Sequence, residues 1–299
     1  MTAVRWLRAQ PLAQLLVYAL ILLPAGPLLN SGVKALMRAV GRGPLLAWDL
    51  VAYAIGDVLL VVVLLLGIRF LERVSLAQAG LPRRHAVRDL GLGFTGGALL
   101  MGTIIGVLAL AGWYRGAGDP TAGVVAALAL FFLAAVSEEI RYRAIAFRLA
   151  EGSLGTWAAI VANALLFGLG HLGNPHATAL TTLAVALGGI LGALLFVATR
   201  TLWPVIGMHW AWNVVEGSVF GVPVSGQPAI PSLLHGHLSG PAMWTGGKFG
   251  PEAGLVALIL LAVLSAALLW LAVRLGHIVT PTWLERLARQ QRSASEATP

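Results

Sequence analysis

The sequence contains no cysteine, and this absence removes several kinds of chemistry at once. Disulfide bonds, thiolate metal sites and a cysteine nucleophile are all excluded. Any catalytic or metal site must therefore use histidine, carboxylate or hydroxyl side chains.

Charged residues are also scarce. They make up 11% of the 299 residues, whereas hydrophobic residues make up 58% and the mean hydropathy is +0.85. Soluble domains contain about 25% charged residues. Apolar runs long enough to cross about 30 Å of hydrocarbon recur along most of the chain. We therefore predict an all-α fold, a polytopic bundle of transmembrane helices that forms a single integral membrane domain in the lipid bilayer.

The net charge of +8 would indicate nucleic-acid binding in a soluble protein. Here the positive residues fall between the apolar runs, where they set the orientation of a membrane protein. We therefore expect no nucleic-acid partner. The excess of arginine over lysine and the many alanine, leucine and glycine residues favour a bacterial source, and hence the bacterial cytoplasmic membrane.

The apolar pattern predicts about eight membrane-spanning segments. We expect two N-terminal spans within residues 1–90, a motif-bearing core at 91–220, an outer loop at 221–252, and a last span with a basic tail at 253–299. The loop is assigned from its five prolines and its lack of a helical period. The predicted spans lie at about residues 12–29, 46–68, 91–113, 122–143, 155–172, 177–199, 203–220 and 253–274.

Arginine distribution predicts the orientation of these spans, because basic connections stay on the cytoplasmic side. The most basic connection is that between the second and third spans, which holds Arg69, Arg73, Arg83, Arg84 and Arg88. Counting from it places 116–120, 173–176 and 221–252 outside, and 141–151 and Arg200 inside. The C-terminal tail is then cytoplasmic, with Arg286, Arg289 and Arg292.

The first hairpin fits this orientation less well. Arg5 and Arg8 agree with a cytoplasmic N-terminus, but three basic residues then fall outside, against the rule. A cleaved signal peptide is the alternative interpretation of residues 1–29, although Pro24 and Pro27 interrupt the small-residue site that cleavage needs. We keep a transmembrane helix here. The contrary residues are Lys34, Arg38 and Arg42.

Ionisable residues inside a span cost about 2.5–3.5 kcal/mol each at a helix centre, so each is a candidate functional residue. Three neighbouring spans hold most of them. For Asp57, in the second span, we expect a buried hydrogen bond to a neighbouring helix. The remaining polar residues within spans are Glu138, Glu139, His171, His209, Asn213 and Glu216.

The first polar cluster is SEEIRYR, residues 137–143. Adjacent helical positions point about 100° apart, so the two glutamates face different directions. Glu139 and Arg143 have the i,i+4 spacing of an ion pair, which leaves Glu138 free to face the bundle. An isolated pair of acids more often lies at the cytoplasmic interface, and that alternative stays open for this motif alone.

The second cluster is FGLGH, residues 167–171. Phe167 and His171 share a helix face, and Gly168 and Gly170 let another helix come close. A buried histidine can act as a base, a ligand or a hydrogen-bond bridge. Alone, a histidine near the end of a span is more often interfacial.

The third cluster is HWAWNVVEG, residues 209–217. His209, Asn213 and Glu216 form one polar stripe, which in lipid must face protein or a cavity. We interpret Glu216 as a supporting or outer-interface residue. The flanking Trp210 and Trp212 are typical of an interfacial aromatic belt.

Together the clusters supply a general base, a partner for its proton and donors for an oxyanion. These groups indicate hydrolysis of an acyl bond. No serine or cysteine nucleophile stands beside them, so activated water is the expected attacker.

The ordered motifs EExxxR, FxxxH and HxxxN resemble the CPBP family of intramembrane proteases, which includes type II CAAX prenyl endopeptidases and bacteriocin-processing and self-immunity proteins. The motifs are intact and lie within residues 138–213. The resemblance implies that Glu138 and His171 activate water while His209 and Asn213 stabilise the oxyanion. It gives supporting roles to Glu139, Arg143 and Phe167.

The resemblance also implies a membrane-associated, prenylated or lipidated protein or peptide as the substrate. For a bacterial chain, a leader peptide, a lipid-anchored protein or a membrane protein is a better expectation than a prenylated one. The alternatives from other classes are a transporter with an intramembrane proton relay and a catalytically idle immunity or scaffold protein.

Metal dependence divides the expectations. The family is widely labelled a metalloprotease group, and the donors Glu138, His171 and His209 resemble a catalytic zinc site in residue type. However, there is no HExxH motif, and the family's CAAX members are viewed as metal-free glutamate-type enzymes. We expect no cofactor, with zinc as the alternative.

Overall fold

The protein is described by a computed structural model covering residues 10–39, 46–118, 123–228 and 231–281. Its tail arginines, the terminal stretch after Ser293, and Arg5, Arg8 and Arg42 lie outside these described ranges. Most of the described chain is helical. The principal helices are α1 Pro11–Ala39, α2 Leu46–Leu66, α3 Ala86–Leu110, α4 Val124–Glu139, α5 Arg148–Gly170, α6 Ala179–Thr199, α7 Trp203–Asn213, α8 Ala242–Thr245 and α9 Leu255–Arg274.

Every predicted span overlaps one of these helices, although α1 continues to Ala39, well past its predicted end at residue 29, and α5 begins before its predicted start at residue 155. Four described helices are long and apolar enough to cross a membrane. The chain is therefore an integral membrane protein of mainly helical fold, whereas the count of about eight spans stays a prediction. The four qualifying helices are Val51–Glu72, Ala86–Leu110, Ala179–Thr199 and Leu255–Arg274.

Two of the motif-bearing helices change geometry within or directly after their motifs. α4 passes into a π-helix at Ile140–Phe147, and α7 passes into another at Val214–Val219. π-Helical turns occur often at functional sites because they redirect side chains without breaking a helix. In α5 the corresponding irregularity is a kink at Gly155, where φ is 81°. The three helices that carry the polar clusters are thus irregular, unlike the regular helices α3 and α6.

Helix α3 packs closely against α7 because glycines line their contact. A Cβ atom at Gly93 would lie 2.7 Å from Pro204 Cα, and one at Gly97 would lie 2.9 Å from Met208 Cα. From the other side, a Cβ at Gly207 would lie 2.8 Å from Phe94 N. Small residues four positions apart let two helices approach closely in this way. It fixes the position of the helix that carries His209 and Asn213.

A second glycine pair, Gly188 and Gly192 on α6, does not serve helix packing alone. Gly188 has open space where a Cβ would stand, and it lines a cavity. The Cβ position of Gly192 is 2.5 Å from Nη2 of Arg143. At these two positions the missing side chains make room for a cavity and a guanidinium group.

A small antiparallel sheet joins two connections of the bundle. Strand β1, Tyr114–Gly118, pairs with β2, Leu234–Leu238, and Tyr114 faces Leu238. The Tyr114 hydroxyl donates to the Phe220 carbonyl at 3.0 Å. The segment 221–252 therefore has regular structure, which its proline and glycine content conceals, and the fold departs from all-α at this point.

The connections group at two ends of the bundle, as the alternating orientation requires. At one end Arg148 pairs with Glu72, and Arg200 pairs with Glu151 at 2.6 Å. The sheet forms at the other end, where Asn174 also donates to the Ser225 carbonyl at 2.9 Å. Connections predicted to share a side therefore meet in the fold.

Candidate active site

The three polar clusters converge on one place within the bundle. α4 ends at Glu139, His171 caps the C-terminus of α5, and α7 contributes His209 and Asn213. A cavity at this place has seven polar residues on its wall. They are Glu139, Arg143, His171, His209, Asn213, Ser225 and Glu252.

Glu138 faces both histidines. Its Oε2 atom lies 3.9 Å from Nε2 of His171 and 3.9 Å from Nε2 of His209. These separations exceed hydrogen-bond length. Glu138 does not itself appear on the cavity wall, so the two imidazoles connect it to the cavity. Its Oε2 is buried and has no hydrogen-bond partner in the described chain.

The two histidines differ in what their Nδ1 atoms contact. Nδ1 of His171 lies 2.8 Å from the carbonyl oxygen of Phe167, and Nδ1 of His209 lies 2.7 Å from Oε1 of Glu139. A carbonyl can only accept, so Nδ1 of His171 carries a proton and the neutral ring presents a lone pair at Nε2. A carboxylate at Nδ1 instead stabilises a protonated imidazole, whose Nε2 can donate.

Glu139 and Arg143 form a buried ion pair, with Oε1 and Nη1 2.9 Å apart. The two side chains are 2% and 1% exposed. Arg143 also donates to the Gly189 carbonyl at 3.2 Å, and its guanidinium lies 4.4 Å from the centre of the Phe167 ring. The pairing matches the i,i+4 spacing. Because Glu139 Oε1 also contacts His209, one carboxylate joins the arginine to the imidazole.

Phe167 is the centre of an aromatic group around the histidines. Its ring centre is 4.8 Å from that of His171, 6.3 Å from that of His209 and 5.0 Å from that of Tyr142. Phe167 is buried, so these contacts restrict the imidazole orientations. The supporting position that the sequence predicts for Phe167 is thus a packing position.

Asn213 is buried at the cavity wall, one turn from His209. Its side chain has no hydrogen-bond partner among the described residues. Its amide faces the cavity, where another molecule can supply a hydrogen-bond partner. Its placement beside His209 provides two donors on the same side of the cavity.

The side chains of Glu138, His171 and His209 are the donors that could hold a metal ion. Tetrahedral zinc holds nitrogen and oxygen ligands at about 2.0–2.2 Å, which separates two ligand atoms by about 3.4 Å. The separations from Glu138 to the histidines are longer, at 3.9 Å. Among the described residues no group of three or more His, Asp or Glu side chains is arranged to hold a metal. The residue types fit zinc, but their spacing does not.

Several functional neighbours escape sequence reasoning. Glu252 and Ser225 lie on the cavity wall although both come from the segment interpreted as an outer loop. Trp212 also lines the cavity, and its Nε1 donates to Glu252 Oε2 at 3.0 Å. Trp210 donates to the Leu128 carbonyl and packs against two phenylalanine rings. Both tryptophans are half-buried and bond to neighbouring protein groups, and their interpretation as an interfacial belt stays a prediction.

The predicted polar stripe on α7 ends at Asn213. The π-helix that follows changes the rotation per residue, so Glu216 does not reach the cavity wall. Glu216 is 0% exposed, and neither carboxyl oxygen has a hydrogen-bond partner in the described structure. Its placement at an outer interface is therefore wrong.

Asp57 has the interhelical hydrogen bond that the sequence predicts. The Ser137 hydroxyl donates to Asp57 Oδ1 at 3.3 Å, which joins α2 to the residue before Glu138. Asp57 thus braces the helix that carries the two glutamates.

One known family matches part of the chain. Residues 120–215 match the family described as type II CAAX prenyl endopeptidase Rce1-like. The resemblance to the CPBP proteases is confirmed. The CAAX-endopeptidase match contains all three motifs and covers about a third of the chain. No curated protein and no solved structure matches the chain significantly.

Proposed function

We propose that the chain is an intramembrane endopeptidase that hydrolyses a peptide bond of a membrane-associated protein with activated water. The family match implies a protease. The observation that carries the mechanism is the position of Glu138 Oε2, at 3.9 Å from the Nε2 atoms of both His171 and His209.

A water molecule fits between these groups. A distance of 3.9 Å is too long for a direct hydrogen bond but suits two groups that share one bridging water. Glu138 and the Nε2 lone pair of His171 can both accept from that water. Either acceptor can take its proton as the oxygen attacks the carbonyl carbon, and can later return a proton to the leaving amine.

The oxyanion of the tetrahedral intermediate needs hydrogen-bond donors. His209 supplies an Nε2 proton when its ring is protonated, a state that Glu139 stabilises at Nδ1. Asn213 supplies its side-chain amide. Donors held in a cavity of low dielectric stabilise developing charge strongly because they need no reorganisation.

The test is a comparison of membrane-protein termini in cells expressing wild type, Glu138→Ala or Glu138→Gln at equal abundance. New termini with wild type alone are the expected result, and they would identify the substrates. Cleavage retained by both variants would exclude Glu138 as the base. Identical termini in wild type, variants and cells without the protein would favour a transporter or an idle scaffold.

Purified wild type and the Glu138→Gln variant should also be compared after metal chelation and zinc addition. Activity that survives chelation is the expected result. Activity that falls with metal removal and returns with zinc would contradict the water mechanism proposed here.

A further inference from the structure

Glu252 places a carboxylate on the wall of the catalytic cavity from outside the three motifs. It lies in the short 3₁₀ turn Pro251–Ala253, directly before α9. Its Oε1 accepts from the Ser225 hydroxyl at 2.6 Å, and its Oε2 accepts from Trp212 Nε1 at 3.0 Å. Both donors also line the cavity, so the carboxylate is held in a fixed orientation there.

A second carboxyl group stands behind it. Glu216 is completely buried, and its two oxygens have no hydrogen-bond partner in the described residues. It is close enough to Glu252 for the two groups to interact electrostatically. Gly250 leaves room for it, since a Cβ there would lie 3.0 Å from Glu216 Oε1.

This pair of acids lacks a counter-ion. Within the described ranges, no Lys, Arg or His side chain forms an ion pair with either Glu216 or Glu252. Two negative charges this close in a low-dielectric interior repel strongly. The pair must therefore retain a proton or be matched by a cation from outside the chain.

The other two acids near the cavity, Glu138 and Glu139, already face basic side chains. Glu139 is neutralised by Arg143 and contacts His209. Glu138 is turned toward the two histidines. The hydrogen bonds that Glu252 accepts come from the uncharged donors Trp212 and Ser225. A cationic group of the substrate that entered the cavity would pair with the Glu252 carboxylate.

We propose that Glu252, backed by Glu216, binds a lysine or arginine side chain of the peptide substrate close to the scissile bond. The inference rests on the proposed endopeptidase function and adds a substrate class to it. Trp212 and Ser225 hold the carboxylate in place, and because Glu252 lines the same cavity as Asn213, recognition of the cation would help to place the reacting carbonyl.

The first test uses cleavage sites mapped in cells with wild type, Glu252→Gln and Glu138→Ala. Basic residues should be enriched at one position of the wild-type sites, and that enrichment should disappear in Glu252→Gln while cleavage continues. Sites without a basic preference, or a preference unchanged by Glu252→Gln, would overturn the proposal.

Kinetics can then distinguish a role of Glu252 in recognising the substrate from a purely structural role. Two peptides based on one mapped site should differ only in lysine against norleucine. Glu252→Gln should lower kcat/KM for the lysine peptide about 10–100-fold, as expected for loss of a charged hydrogen bond, and leave the norleucine peptide nearly unchanged. An equal loss for both peptides would indicate a merely structural carboxylate and would contradict the proposal.

A binding measurement does not depend on turnover. Benzamidinium is an aromatic cation, and benzamide is its neutral counterpart. In detergent-solubilised full-length protein, wild type should bind benzamidinium at least about 10-fold more tightly than Glu252→Gln does, while benzamide should not distinguish them. Equal benzamidinium affinity would overturn the proposal. This result stands even if the cellular comparison shows that the chain is not a protease.

Discussion

The Glu139 carboxylate bonds to His209 across 70 positions of sequence, with Oε1 and Nδ1 2.7 Å apart. The same oxygen pairs with Arg143. Glu139 therefore connects a positive charge on its own helical segment to the imidazole of another helix. This arrangement gives it two tasks, because it neutralises a buried guanidinium and orients a histidine.

Glu139→Gln should therefore reduce kcat, but by less than Glu138→Gln does. Loss of a carboxylate that orients a functional histidine typically costs about 10–100-fold. The glutamine can still contact Nδ1 of His209, whereas Glu138→Gln removes a carboxylate that accepts the proton of the attacking water. The measurement is kcat on a mapped substrate, normalised to folded protein. A loss equal to or greater than that of Glu138→Gln would contradict this division of roles.

Much of this site follows from sequence because helical spacing is local. The shared face of Phe167 and His171 needs only regular geometry, and the i,i+4 spacing of Glu139 and Arg143 still predicts their ion pair although Arg143 lies in a π-helical segment. The contact of Glu139 with His209 depends instead on how two distant helices pack. This contact can be recognised only from the structure, in which the glycines between α3 and α7 set the position of α7.

The missed residues depend on irregular backbone. Glu216 departs from its stripe because a π-helix begins after Asn213, and no propensity in the sequence indicates that change. Glu252 reaches the cavity through a 3₁₀ turn in a segment rich in proline and glycine. Such segments show no hydrophobic period, so their place in a fold is set by tertiary contacts that sequence patterns do not encode.

Asn213→Ala should lower kcat about 10²–10³-fold with little change in KM, the usual effect of removing one oxyanion donor. Asn163→Ala is the matched control, since Asn163 is also a buried asparagine but donates to the Gly189 carbonyl at 3.0 Å. The main effect of Asn163→Ala should be a lower thermal stability, with only a small decrease in kcat. Unchanged kcat in Asn213→Ala would remove this residue from the oxyanion site.

Gly97→Val should impair both folding and activity, because its side chain would meet the backbone of α7 at Met208. Overpacking of a close contact costs about 1–3 kcal/mol. Gly96→Val is the control, since nothing lies within 4 Å of a Cβ at Gly96 on the same helix. Thermal unfolding in detergent and turnover should both separate the two variants. Equal behaviour would mean that the α3–α7 contact does not set the geometry of the site.

Reporter fusions test the orientation of the bundle. A reporter inserted after Arg88 should lie in the cytoplasm, because that connection is the most basic of the chain. A second reporter inserted after Ser239, beyond strand β2, should lie on the opposite side, because the sheet and the Glu72–Arg148 ion pair occupy opposite ends of the bundle.

Activity of the full-length chain should be retained in the fusions used. Opposite sides with the assignments exchanged would invert the orientation but preserve the fold. Both reporters on one side would contradict the fold itself, because an odd number of crossings must separate the two connections.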